Sequence, residues 1–277
     1  MSALNALQSK TDTAQSGATA WWLVFKRELV ELWIGGRALN LLILFSVLMS
    51  ITAFLLATNS ELSLFQAQHV LFLTLQANIT FGLFIGLIIA AESISGERER
   101  ATLEALLLTP TSRKHIVLGK YLAAFSLWPA AFILSIPYMA VLARGEPVLG
   151  QALLWGALIG SIPAAAFTAL GMIVSIKSNS SRTSLFISLL IYLLSLLPGQ
   201  LPGEAQAKPL GVLIQAINPL ESARQFLQRV LTDGKPLNEV LIYIVAPVLV
   251  TALIIGLLFV YAAPRLNLEI EQGAPQK

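Results

Sequence analysis

The sequence contains no cysteine. Disulfides, thiolate metal sites and a cysteine nucleophile are therefore excluded. Histidine is almost absent too. His69 and His115 are the two in the chain, too far apart to make a helix-borne metal pair. Charge is scarce: Asp, Glu, Lys and Arg make up 12% of the 277 residues, roughly half the share of a soluble domain. With 56% hydrophobic residues, a disordered or collagen-like chain is excluded and a soluble enzyme is a poor fit. There is no G-x-x-x-x-G-K-[ST] loop, so the chain has no phosphate cradle of that kind. A net charge of +3 is small, and no nucleic acid is expected as a partner.

Long charge-free runs are what the sequence has in abundance. Six exceed eighteen residues: 38–60, 62–91, 121–143, 147–176, 183–203 and 240–264. A helix needs about 20 apolar residues to cross the hydrocarbon of a bilayer. Strands of a membrane barrel would be about ten residues long with alternating polarity. The runs are longer and apolar throughout, so they predict helices. The expected fold is an all-α membrane protein with six transmembrane helices, near 38–57, 70–91, 121–143, 148–176, 183–198 and 240–263, within a domain 38–264. Pro129, Pro137, Pro163 and Pro247 lie inside these runs, where neighbouring helices satisfy freed carbonyls and kinks result.

Lys and Arg set the orientation. With a cytoplasmic N-terminus, segments 1–37, 92–120, 177–182 and 265–277 share one side and hold thirteen basic residues, against five on the other. Both termini, including the tail 265–277, are thus expected in the cytoplasm, and the protein in the cell (inner) membrane.

Three segments outside the runs carry further signals. Within 1–37, residues 21–33 place Trp22, Phe25, Leu29, Leu32 and Trp33 on one helical stripe. That pattern predicts an amphipathic helix in the membrane interface, ended by Gly35-Gly36. Residues 92–120 are the most charged stretch. The spacings Glu97–Arg100 and Arg100–Glu104 suit ion pairs on a helix surface. Leu103, Leu106 and Leu107 add apolar area that a solvated loop does not need and a docking surface does. Thr109-Pro110 should end that helix, and Ser112 is placed to cap the next. The loop 199–239 is punctuated by proline, and its amphipathic stretches 210–217 and 220–231 predict short re-entrant or interfacial helices.

Within the runs, small residues recur every four positions: Gly82, Gly86 and Ala90, then Gly156, Gly160, Ala164 and Thr168. Such ladders permit close helix contact in lipid, either within one subunit or at a dimer seam. Gln76, Asn78, Thr80, Ser184, Ser188, Tyr192 and Ser195 are uncharged polar residues that either line a pathway or tie helices together. Gln76, Asn78, Ser188, Tyr192 and Ser195 are the candidate lining residues.

No ionisable residue sits near the middle of a run. An ion-coupled secondary transporter needs such a group, and an intramembrane hydrolase needs a catalytic pair. No enzyme activity is therefore expected of this chain. If it performs work, the energy must enter from another polypeptide, and the 92–120 segment is the natural entry point.

Here the sequence resembles the permease subunit of type-2 ATP-binding-cassette exporters. That family carries Gly-Glu-x-Glu-x-Gly-Thr-Leu-Glu after its second span, and this chain has Gly96, Glu97, Arg98, Glu99, Arg100, Ala101, Thr102, Leu103 and Glu104. Thr109-Pro110, Leu118-Gly119-Lys120, the Phe25-Lys26-Arg27-Glu28-Leu29 stretch and Asn218-Pro219-Leu220 are similar to family segments in order and spacing. Ala101 replaces a glycine of the family pattern, which suggests a less bent segment. The resemblance implies a dimer of six-span subunits, identical or homologous, with two cassette ATPase subunits beneath it. Residues 92–110 would be the coupling helix, with Glu97, Arg98, Glu99, Arg100, Thr102, Leu103, Glu104 and Leu107 as its coupling residues. ATP would bind on the partner subunit, and no cofactor is expected in this chain. Alternatives are a membrane scaffold of an assembly or maturation complex, meeting an extracytoplasmic partner through 199–239, and a secondary transporter, which lacks a named coupling residue.

Overall fold

The computed structural model describes residues 20–59, 66–109, 111–143, 145, 147–200, 202, 206 and 208–266. Among these the protein is all-helical, and six helical segments are long and apolar enough to cross a membrane. Helix α1 covers residues 20–34. It is followed by α2 (Arg37–Thr58), α3 (Ala67–Glu92), α4 (Ser95–Glu99), α5 (Leu103–Leu107), α6 (Arg113–Phe125), α7 (Leu127–Leu142), α8 (Val148–Lys177) and α9 (Ser181–Leu196). Then come α10 (Pro209–Ile217), α11 (Pro219–Leu231), α12 (Leu237–Val240) and α13 (Ile242–Gly256). The spans are α2, α3 running on into α4, α6 with α7, α8, α9, and α13 with the turns that extend it to Arg265.

Proline and glycine punctuate these elements. Gly36 adopts φ 79°, a left-handed turn that suits glycine, and separates α1 from α2. Pro129 cannot donate to the carbonyl of Phe125, and α6 ends there, with α7 beginning two residues later. Pro137, Pro163 and Pro247 are each accommodated inside a helix. Proline opens both α10 and α11, where the missing N–H costs nothing. The Asn218 side chain caps α11 by accepting from the Leu220 N–H at 3.0 Å. Ser112 caps α6 in the same way, accepting from His115 N–H at 3.3 Å. Pro110, expected to stop the preceding helix, lies outside the described residues. That helix ends at Leu107.

Helices α3 and α8 form the centre of the bundle, and the small-residue ladders explain their approach. A Cβ on Gly156 would meet Leu75 at 2.6 Å, and one on Gly160 would meet the Trp128 ring at 2.5 Å. Gly82 faces the same indole at 3.1 Å, and Gly86 faces Thr168. The ladders therefore pack within the subunit, letting Leu75 and Trp128 fill notches where a larger residue would hold the helices apart. The Trp128 N–H donates to Ser161 Oγ at 3.1 Å, so its polar atom is not stranded. By contrast α2, α9 and α13 leave Ile43, Val47, Phe54, Phe186, Leu190, Leu194, Leu249 and Leu253 exposed. Such faces suit lipid or another subunit rather than water.

Helix α11 is drawn deeper than a surface helix. Its Leu220, Ala223, Phe226, Leu227 and Leu231 are buried in the main core with residues of α3 and α8. Helix α10, before it, keeps Leu210, Val212, Leu213 and Ile217 exposed.

Candidate functional site: the charged elbow

Hydrogen bonds gather four distant segments at one end of the bundle. Residues 92–109, between α3 and α6, form the elbow there, with α1, the α8–α9 junction and the end of the sixth span around it. Ser175 Oγ of α8 accepts from the backbone N–H groups of Ile94 and Ser95 at 3.0 and 2.9 Å. The Arg98 guanidinium donates to the carbonyls of Ser178 and Ile176, the latter at 3.1 Å. It thus covers carbonyls that the end of α8 leaves without helical partners. Glu99 accepts from the Ser181 N–H at 3.2 Å, at the start of α9. Arg113 donates to the carbonyl of Pro264 at 2.9 Å.

The centre of this end is an ion triad. Lys120 Nζ, on α6, lies 2.8 Å from Glu28 Oε1 of α1 and 2.8 Å from Glu97 Oε1 of α4. The Lys120 side chain is 2% exposed. One cation between two carboxylates leaves one excess negative charge away from water. Burial pushes the Glu28 carboxyl above its ordinary range, while the Lys120 ammonium pulls the other way. Arg37 and Glu92 add a looser pair at 3.7 Å. A cavity of about 50 Å³ lies between these groups, lined by Glu28, Arg37, Glu92, Glu97, Arg100 and Lys120.

The elbow's remaining side chains divide into two sets. Leu103 and Leu106 are buried and Leu107 is half-buried, so they anchor α5 to the bundle. Arg100, Thr102, Glu104, Ala105 and Leu108 are exposed, Leu108 by 79%. The expected Glu97–Arg100 and Arg100–Glu104 pairs do not form among the described residues. Their spacing presumes one continuous helix, and the chain leaves helical geometry between Glu99 and Leu103. The break centres on Ala101, whose φ of 58° is left-handed. The expectation that alanine straightens this segment is therefore corrected: the bend is kept, and alanine bears a strain of about 1–2 kcal/mol that glycine would not.

The candidate pathway residues are only partly assembled. Gln76 and Ser195 line a cavity of about 60 Å³ between α3, α9 and α11, together with Thr80, Gln200, Glu221 and Arg224. Tyr192 sits beside it, donating to the Thr80 carbonyl at 2.6 Å and holding the Ser195 hydroxyl on its own carbonyl at 2.6 Å. Asn78 and Ser188 are buried elsewhere and do not line this cavity. Among the described residues neither amide atom of Asn78 nor Ser188 Oγ has a hydrogen-bond partner. Ser184 serves as glue, donating to the Ala91 carbonyl at 2.6 Å.

Sequence reasoning missed Lys120, Glu28, Glu221 and Arg224 as parts of these sites. Glu221 and Arg224 are spaced i, i+3 just after an Asn-Pro cap, which was a readable pairing signal. Nothing local marks Lys120 as the partner of residues 92 and 23 positions away.

Comparison with known proteins adds one finding. A family model described as ABC-2 family transporter protein matches residues 22–267. No curated protein matches the chain.

Proposed function

The chain belongs to the ABC-2 family of transporter proteins, and on that premise we propose that it lines an export pathway as a dimer, driven by separate cassette ATPase subunits docked on residues 92–110. It is a multi-pass membrane protein and the permease subunit of an ABC transporter. In our reading both termini and the elbow lie in the cytoplasm, in a cell (inner) membrane. Helix α1 lies along the inner interface, and the 199–239 segment faces outward, where an extracytoplasmic partner would meet it. ATP binds and is hydrolysed on the partner subunits, and no cofactor or catalytic residue is assigned to this chain.

The observation that carries this reading is the division of the elbow. Its inner side is fastened to α1, α6, α8 and α9 by Glu97, Arg98, Glu99 and Ser95. Its outer side presents Arg100, Thr102, Glu104, Ala105 and Leu108 without burial. An apolar side chain flanked by charges of both signs suits a protein groove better than bulk water. ATP-driven closure of the ATPases then favours one arrangement of the bundle by binding it more tightly.

The test is capture of the ATPase from membranes by the tagged permease. The triple substitution Arg100→Glu, Glu104→Lys and Leu108→Asp should abolish capture while helical content and elution volume stay unchanged. Undiminished capture by that variant removes the elbow as the docking site.

A further inference from the structure

The triad joins three segments that share no other ionic contact with one another among the described residues. Glu28 belongs to α1, Glu97 to the elbow and Lys120 to the start of the third span. A second, non-electrostatic contact operates one residue away. Gly119 lies so close to α1 that a Cβ there would stand 2.7 Å from Val24 Cγ1 and 2.9 Å from the Phe25 backbone nitrogen. Farther along, the Trp33 indole donates to Ser126 Oγ at 3.2 Å. Helix α1 is therefore seated on α6 along its length, and its Phe25, Leu29 and Trp33 are half-buried against the protein.

We propose that Lys120 is a positioning residue that ties the elbow to α1 and α6, so that a push on the elbow moves all three as one body. The proposal rests on the elbow being where the ATPase pushes. A buried ammonium between two carboxylates is well suited to this task. Separating either pair leaves a charge away from water without its counter-charge, which costs far more than separating two apolar faces. Among the described residues the remaining oxygen Glu97 Oε2 is buried without a hydrogen-bond partner, so the Lys120 ammonium is the one cation bonded to Glu97 there. Gly119 allows the close approach, and Lys120 locks it. In this view α1 is an output of the elbow, carrying its displacement along the membrane face while α6 carries it into the bundle.

The absence of native cysteine makes the test clean. Spin labels at Arg27→Cys on α1 and Ala105→Cys on the elbow, both exposed positions, report their separation in the full-length permease in lipid nanodiscs without nucleotide. The parent should give one narrow distance. Lys120→Met, which keeps the bulk and removes the charge, should broaden the distribution and shift it outward, and Lys120→Arg should restore it. Should Lys120→Met fail to fold, Glu97→Met, which leaves Lys120 no acceptor on the elbow, serves in its place and should broaden the same distribution. A Lys120→Met or Glu97→Met distribution superimposable on the parent's overturns the proposal. Capture of the ATPase separates this failure from failure of the docking reading. Lys120→Met should still capture it, because the exposed face is untouched. The double variant Glu104→Lys, Leu108→Asp, which leaves the cavity lining intact, should lose it with the parent's α1–elbow distance retained. If no ATPase is captured even by the parent, docking fails, and the nucleotide-free distances still decide whether Lys120 ties the three segments.

Discussion

Each end of the bundle holds an ion pair, fully buried at its cation in one and half-buried in the other, and the two are built differently. At the elbow, Lys120 joins carboxylates 92 and 23 residues away, on two other segments. At the opposite end, Arg224 pairs with Glu221 three residues earlier on the same helix. The local pair fixes the side chains of α11 and lines a cavity with Gln76 and Ser195. Among the described residues it makes no ionic contact with another helix. The long-range pair makes the position of one segment depend on two others. A charge placed across the fold, rather than along a helix, turns a surface loop into a mechanical part.

Removing each cation is the strongest way to break that contrast. Lys120→Met should lower stability by about 3–5 kcal/mol, since two facing carboxylates lose their shared counter-charge. Arg224→Met should cost about 2 kcal/mol, the loss of one charge-assisted bond at a partly exposed site. Denaturant titration in detergent compares them, and equal losses would mean that the elbow pair is no more than local. Next in size is Gly119→Ala. Its Cβ would crowd the Val24 side chain and, at 2.9 Å, the Phe25 backbone nitrogen of α1, which has no rotamer to yield, so a loss of about 1–3 kcal/mol is expected. Ala101→Gly should act in the other direction, raising stability by about 1 kcal/mol through release of the left-handed strain. A thermal melt that falls instead would show that the bend is not strained.

The smallest expected effect is a pH dependence. Burial raises the Glu28 pKa from its ordinary value of 4.5, so the folded protein holds that proton more tightly than the unfolded chain. Its contribution is then complete below about pH 4.5 and declines as pH rises through the folded value. Glu28→Gln should remove that decline. The variant should match the parent in acid and exceed it slightly at pH 8, while keeping an acceptor for Lys120. A variant whose melting profile keeps the parent's slope would place the titration elsewhere.

The six crossings were legible because desolvating a charge in hydrocarbon is so costly that the runs announce themselves. The break at Gly35-Gly36, the Ser112 cap and the two helices of the 199–239 segment were legible because glycine, serine and proline act locally. The elbow's interior was not. The spacing of Glu97, Arg100 and Glu104 suited a continuous helix, and the chain turns left-handed at Ala101 despite alanine's helix preference. Once the helix is broken, which charge turns inward depends on α6, α8 and α9 rather than on neighbours in sequence. The small-residue ladders were legible as close contacts, while the choice between packing within the subunit and packing between subunits depended on where Leu75 and Trp128 fell.

The most direct test of ATPase docking on the elbow is site-specific photo-crosslinking in native membranes. A photoreactive residue placed at Leu108 should yield an adduct with a cassette ATPase, and one placed at Leu213, exposed on α10 at the other end, should yield none. An ATPase adduct from Leu213, with Leu108 silent, would contradict the account.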